Sequence, residues 1–164
     1  MQPRFRKAKW HTFINAQRSE AKMLQNFEAT FGSPDQVVVG FGDWEQRQGL
    51  KLHLEPTKGK GMRKLLRKAG YPVALVDEHR TSCQCHHCKA EEARCEKFLW
   101  VENPRPWRRE QYPRVLRHGL VKCTTCGRWW NRDANSALNM ELIMRQQALG
   151  FERPTYLQRG GRGG

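Results

Sequence analysis

Val73-Ala74-Leu75-Val76-Asp77-Glu78, Cys85-His86-His87-Cys88, Cys123-Thr124-Thr125-Cys126 and Trp130-Asn131-Arg132-Asp133-Ala134-Asn135 are four landmarks of one stretch, Val73 to Asn139, on which the fold turns. The first is a short apolar run of strand type that delivers Glu78 at its exit. The two CxxC pairs are separated by 34 residues. Each places two thiolates on one tight turn, and the two turns together complete a tetrahedral zinc site. Four cysteines leave the metal no open position, so its role is to fold the chain, and such sites contribute ~10–16 kcal/mol of apparent binding energy at neutral pH. Cys83, Cys95, His86 and His87 remain as alternative ligands. The fourth landmark opens a helix-forming run, Ser136 to Leu149. A knuckle closed on zinc pins the strand exit to the helix start, so that Glu78 and Asp133 approach each other as paired carboxylates for a divalent-metal site.

Working outward, 164 residues suit one domain or one with a small insertion. The apolar fraction of 38% and mean hydropathy of -0.85 are thin for that length and point to a core completed by something else. Thirty Lys and Arg against sixteen Asp and Glu give a formal charge of +14 and favour a polyanionic partner, nucleic acid first, although a solvated basic surface has the same composition. No stretch approaches the roughly 20 apolar residues of a membrane span, and Met1 to Lys9 is basic without an apolar signal core. The expectation is an intracellular protein, nuclear if its host is eukaryotic, whose cysteines are thiolate ligands rather than disulfides.

Upstream, Trp10, Phe13, Ile14, Ala21, Leu24, Phe27 and Phe31 fall at helical spacing, broken only by Gln17, and predict an amphipathic helix from about Phe5 to Phe31 stopped by Gly32 and Pro34. Val37-Val38-Val39-Gly40-Phe41 reads as a central, doubly covered strand. Asp43 behind it has two readings: an acid at the carboxyl end of a buried strand, where open α/β sheets place their sites, or Gly-Asp turn chemistry. Residues 45–60 read as loop, with a short extended piece at Leu50 to Leu54. A helix over about Gly61 to Ala69, ended by Gly70, leads into the Val73 strand, and strand, helix, strand in this order makes the two strands parallel. Lys58 to Lys68 holds six basic residues and no acid, so Lys58, Lys60 and Arg63 are candidate phosphate contacts or an ordinary solvated face.

Between the CxxC pairs, Trp100, Trp107 and Tyr112 interleave with Arg105, Arg108, Arg109, Arg114 and Arg117. Alternating cations and aromatics attract single-stranded bases and phosphates; the alternative is a satellite core, favoured for Trp100. After Cys126, Ala137, Leu138, Leu142, Met144 and Leu149 suggest a partly buried helix, and Asp133 is either its N-cap or a metal ligand facing Glu78. The end, 151–164, finishes Gln-Arg-Gly-Gly-Arg-Gly-Gly and reads as a disordered, weakly nucleic-acid-binding Arg/Gly tail.

Asp77-Glu78-His79-Arg80-Thr81-Ser82 before the first CxxC, His118-Gly119-Leu120 before the second, and Trp130 to Asn139 after it resemble the RuvC-like nucleases of the TnpB and Fanzor group, transposase-associated zinc-ribbon proteins related to type V CRISPR effectors. Gly40-Phe41-Gly42-Asp43-Trp44 and Pro56-Thr57 with Gly59 and Gly61 resemble the Fanzor branch. The resemblance implies an RNA-guided DNA endonuclease with DNA and guide RNA as partners, structural zinc on Cys85, Cys88, Cys123 and Cys126, and magnesium on the catalytic carboxylates Glu78 and Asp133. In TnpB the glutamate would come from the preceding strand, near Asp43. It also implies a first catalytic aspartate, as Asp-Pro-Gly or Asp-x-Gly, on an early strand ahead of the opening helix, and no such motif precedes Phe5.

The expected architecture is therefore α/β: a partial RNase H-like (RuvC) fold lacking its first three strands, formed by 1–84 and 127–150, with a zinc ribbon inserted at 85–126. Such a chain, the carboxyl-terminal portion of the family, is expected to cleave little alone unless Asp43, a complementary chain or a full-length relative completes the acids. The alternatives are a non-catalytic zinc-ribbon module that binds nucleic acid, a decayed mobile-element remnant, and a basic component of a ribonucleoprotein.

Overall fold

The computed structural model describes residues 3–43, 59–108 and 110–159. Lys58, Arg109, Trp44, the Leu50 to Leu54 piece and Pro56-Thr57 lie outside the described residues. The chain divides into two units, one within residues 1–41 and 45–75 and the other within 42–44 and 76–164.

In the first unit, helix α1 spans Pro3–Phe31. Its helical spacing is as expected, and Gly32, at φ 107°, ends it by donating its N–H to Glu28 O at 2.9 Å. The apolar stripe is covered only in part: Ile14, Leu24 and Phe27 are half-buried, whereas Phe31 is 61% exposed. Phe27 meets the edge of Tyr71 at 5.1 Å, and the Tyr71 hydroxyl donates to Gly32 O at 3.0 Å, whereas Trp10 and Phe13 are more than half exposed. Helix α2, Gly59–Lys68, buries Leu66 and ends at Gly70, again with positive φ.

Strands β1, Val39–Gly42, and β2, Val73–Val76, form a two-stranded sheet. Val39 N–H donates to Pro72 O and Asp43 N–H to Val76 O, both at 2.9 Å, so both strands advance together and the pair is parallel, as expected. The doubly covered central strand does not form. Val38 is 59% exposed and no residue of β1 is fully buried, because among the described residues β1 has one neighbouring strand.

The second unit begins where those strands end. Strands β3 (Cys95–Glu96), β6 (Leu120–Cys123) and β7 (Trp129–Asn131) make an antiparallel sheet, and β4 (Trp100–Glu102) with β5 (Arg114–Leu116) makes a separate hairpin. Cys85, Ala93, Cys95, Val121 and Cys123 form the small core of this ribbon. Trp100 is 53% exposed, so the hairpin has no satellite core around it.

Helix α3, Arg132–Ala148, follows β7 directly. Its buried residues are Asn135, Asn139 and Ile143, one face at i, i+4, i+8. The helix is partly buried as expected, with Leu138, Leu142 and Met144 half-buried, but Ala137 and Leu149 are exposed. The segment expected to begin a disordered tail is folded over 151–159. A 3₁₀ turn, Thr155–Leu157, buries Tyr156 and Leu157 against Val76 and Ile143. Tail composition is dominated by glycine and arginine, but one aromatic and one leucine suffice to seal the end of β2. No described helix is long and apolar enough to cross a membrane.

Candidate metal centre and acid site

The two CxxC segments fold into equivalent turns. Lys89 N–H donates to Cys85 O and Gly127 N–H to Cys123 O, both at 3.1 Å, and the residue after each second cysteine has positive φ, 53° at Lys89 and 68° at Gly127. The turns face each other and bring all four Sγ atoms within 4.8 Å of one another. Cys85 Sγ lies 3.9 Å from Cys126 Sγ, and Cys88 Sγ 3.9 Å from Cys123 Sγ. A tetrahedral ion with metal–sulfur bonds of about 2.3 Å has sulfur–sulfur edges of about 3.8 Å. The four thiols therefore fit one metal ion, and among the described residues they are the only such group of His, Cys, Asp or Glu.

Burial pushes the Cys85 thiol up, but the N–H of Cys88, the Trp130 indole and the N–H of His87 outweigh it and hold the group at about 7. Trp130 Nε1 is buried with no well-aligned acceptor, so its approach to Cys85 sulfur is long-range support rather than a formed hydrogen bond. Cys88 is pushed up to about 12, first by its bond with Cys126 and then by burial. Cys95, paired with Cys123 across β3 and β6, is also raised to about 12, mainly by burial, and is a core thiol outside the four. Cys83 is exposed and points its Sγ at Arg80 O. His86 Nδ1 is engaged by Asn139 Oδ1 at 3.2 Å. None of these alternative ligands joins the group.

Helix α3 grips the first knuckle. Asn135 and Asn139 each donate Nδ2 to both Thr81 O and Gln84 O, at 2.8–3.2 Å. Asn135 Oδ1 accepts from His86 N–H at 3.0 Å. These two amides were missed in the sequence; their signal is a pair of Asn at i, i+4 in a helix whose leucines do not line up.

The acids lie on the same framework. Thr81 N–H and Oγ1 donate to Glu78 O at 3.1 and 2.9 Å, and Thr81 Oγ1 meets Ser136 Oγ of α3 at 2.8 Å. The carbonyls on either side of Glu78 are held by Arg153, whose Nη1 donates to Asp77 O at 3.0 Å and Nη2 to His79 O at 2.8 Å, with Nε on Leu157 O at 2.7 Å. The Glu78 side chain lies over Gly42. A Cβ there would coincide with its carboxylate and come within 2.9 Å of Cγ, so any larger residue at position 42 would displace the Glu78 side chain. Neither the place of Gly42 under Glu78 nor the grip of Arg153 on its turn is visible in the sequence.

Asn131, not Asp133, caps α3: its Oδ1 accepts from Asp133 N–H at 2.9 Å and Ala134 N–H at 3.1 Å. That overturns the capping alternative for Asp133 and leaves its carboxylate exposed in the first turn. Asp43 N–H donates to Val76 O, two residues before Glu78, and its carboxylate lies near Arg159. Arg159 forms two bonds of 3.0 Å with Asp77, and that pairing, with Arg153 nearby, holds the Asp77 carboxyl down at about 2. Among the described residues no three carboxylates have oxygens that all lie within 4.8 Å of one another.

Of the basic candidates, Lys60 is exposed and Arg63 half-buried on α2, and Arg105 and Arg108 are exposed in the β4–β5 loop. Asn103 closes that loop, donating Nδ2 to Tyr112 O and accepting from Arg105 N–H, both at 2.9 Å. Trp107 is 71% and Tyr112 52% exposed beside those arginines.

A four-thiol knuckle docked on a helix that carries an exposed first-turn acid defines a metal-ribbon module beside a carboxylate-bearing scaffold. Residues 62–140 match the family model of the Cas12f1-like, TNB domain, which supports the resemblance to TnpB-type proteins. The matched stretch includes Glu78, all four knuckle cysteines, Asp133, Asn135 and Asn139, but not Asp43 or Arg153. No curated protein is significantly similar to the chain.

Proposed function

We propose that the chain is a nucleic-acid-binding portion of a TnpB/Fanzor-type, RNA-guided RuvC-like nuclease, with DNA and guide RNA as its partners. The observation that carries this reading is the four-thiol tetrahedron inside the matched stretch, docked on the two elements that bear Glu78 and Asp133. Zinc is the metal in this reading, since four thiolates at tetrahedral spacing suit it and its role is to fold the ribbon. Lys60, Arg63, Arg105 and Arg108, with Lys58 and Arg109 from the sequence, supply phosphate contacts, and Trp107 and Tyr112 offer stacking surfaces. The Gly40 to Trp44 motif supports the Fanzor branch.

Glu78 and Asp133 are the carboxylates of a RuvC-type, RNase H-like site that further acid must complete, with Asp43 the candidate within this chain. When bound, magnesium would supply charge stabilisation for phosphodiester cleavage. A second reading is a non-catalytic zinc-ribbon binding module, supported by the four-thiol group, which needs no acid site.

The test is binding and cleavage of single-stranded DNA by the metal-loaded chain in magnesium. Salt-sensitive binding without cleavage is expected. Cleavage abolished by Asp43→Ala, Glu78→Ala and Asp133→Ala separately would make the chain an enzyme as it stands. Absence of binding to both DNA and RNA at low salt would refute the nucleic-acid reading.

A further inference from the structure

We propose that Asn135 and Asn139 are positioning residues of the metal knuckle, and that through them metal occupancy and the seating of α3 form a single equilibrium. This rests on the four thiols being a metal site. Both side chains are fully buried, with 0% exposure, and both project from the same face of α3. Each amide directs its nitrogen at two backbone carbonyls, those of Thr81 and Gln84. Carbonyls only accept, so the amide orientation is settled and Oδ1 must face the other way. It does so twice onto one residue, to His86 N–H from Asn135 and to His86 Nδ1 from Asn139. The second contact needs an acceptor on the amide and so places a proton on Nδ1.

The residues immediately before and after Cys85 are therefore held by the helix, and Cys85 itself is completely buried between them. These bonds fix the backbone on both sides of a ligand cysteine. A leucine pair would bury as much surface at less desolvation cost. What two amides add is direction: they specify where the backbone around a ligand sits, as outer-shell partners do at metal sites. The linkage runs both ways. Closing the turn on a metal holds Thr81 O and Gln84 O where α3 needs them. The same Thr81 joins Ser136 of α3 and the carbonyl of Glu78, so the acid turn is tied into the same network.

The test uses the full chain, stripped of metal under reducing conditions and reloaded with Co²⁺, with zinc affinity measured by competition against a chromogenic chelator. Asn139→Ala and Asn135→Ala are expected to weaken zinc about ten- to a hundred-fold and to alter the Co²⁺ ligand-field bands. In the unmodified chain, metal removal should speed amide exchange across 134–139. Ile143→Ala is the control: it lies on the same helix face but belongs to a separate buried cluster with Val76, Tyr156 and Leu157. It should lower the melting temperature while leaving metal affinity within about two-fold. Should an alanine variant not fold, Asn139→Asp keeps the shape and the acceptor but loses both donations, and the same weakening is expected. Affinity and bands unchanged in the Asn variants, or equal weakening in Ile143→Ala at matched stability, would overturn the proposal. A tetrahedral thiolate spectrum that survives Cys88→Ser and Cys123→Ser would instead sink the metal reading itself, and the proposal with it.

Discussion

Replacing Arg153 by alanine isolates the contribution of a segment whose composition suggests no structure. The side chain is 16% exposed and donates to the carbonyls of Asp77, His79 and Leu157 at 2.7–3.0 Å. Hydrogen bonds to a charged partner contribute roughly 1.5–3 kcal/mol each, giving a gross value of about 4–9 kcal/mol for three. Against this stands the cost of burying the guanidinium, which lowers the Arg153 pKa. In the variant, water also reaches some of the released carbonyls. A net loss of about 2–3 kcal/mol is reasonable, or roughly 5–10 °C in melting temperature for a chain of this size. Arg153→Lys should recover less than half, since one ammonium cannot span three carbonyls. Thermal unfolding of the metal-loaded chain gives the magnitude, and amide exchange at His79 and Thr81 gives the location. A melting temperature within about 1 °C of the parent, with protection at Thr81 unchanged, would refute the reasoning, because the Glu78 turn would then be held without the tail.

Three further outcomes are expected. Gly42→Ala should cost little stability, since the obstructed atoms belong to a flexible, exposed glutamate. It should nevertheless displace the Glu78 carboxylate, seen as a changed Glu78 side-chain chemical shift, and an unmoved resonance would contradict the packing. Asp77 is held at about 2 against an ordinary 3.8, first by its bond to Arg159, so its contribution is complete above the ordinary value and lost as pH falls through the folded one. At 40% exposure the pair is screened, and about 1 kcal/mol should disappear between roughly pH 5 and pH 2. Arg159→Ala should flatten that part of the stability profile, and an identical profile would show that the pair contributes nothing. Arg105→Ala and Arg108→Ala together should weaken DNA binding uniformly across sequences and reduce the salt dependence by up to about two counterions; an unaltered slope would place the contacts elsewhere.

Much of the second unit was legible because its information is local. A CxxC pair reports its own turn, and two pairs report each other, so the knuckle and its four ligands follow from spacing. Helix α1 announces itself by period and Gly32 by its stop signal, and the parallel relation of β1 and β2 follows from the intervening helix. What stayed hidden depends on partners distant in sequence. Nothing near Gly42 says that the Glu78 side chain will need its space, and nothing in an Arg/Gly-rich tail says that Arg153 will find two carbonyls across 74–76 residues of chain. The β1 strand was over-read for a related reason: a continuous Val run signals burial only when a sheet exists on both sides of it. On α3 the apolar residues drew the eye, while burial went to the amides. The capping alternative for Asp133 stood open in the sequence because Asn131, two residues earlier, is an equally good cap.

The choice of amides over hydrocarbon beneath α3 decides how many ways the helix can settle. A leucine face tolerates sliding: shifted by one turn, hydrophobic side chains find other hydrophobic side chains and lose a fraction of their contact. Asn135 and Asn139 have no such latitude for a small slide, because moving the helix by a fraction of a turn would bury donors and acceptors without mates, each costing about 1–3 kcal/mol. The first-turn acid of α3 is therefore placed by a lock that rejects near misses as strongly as it holds the correct alignment.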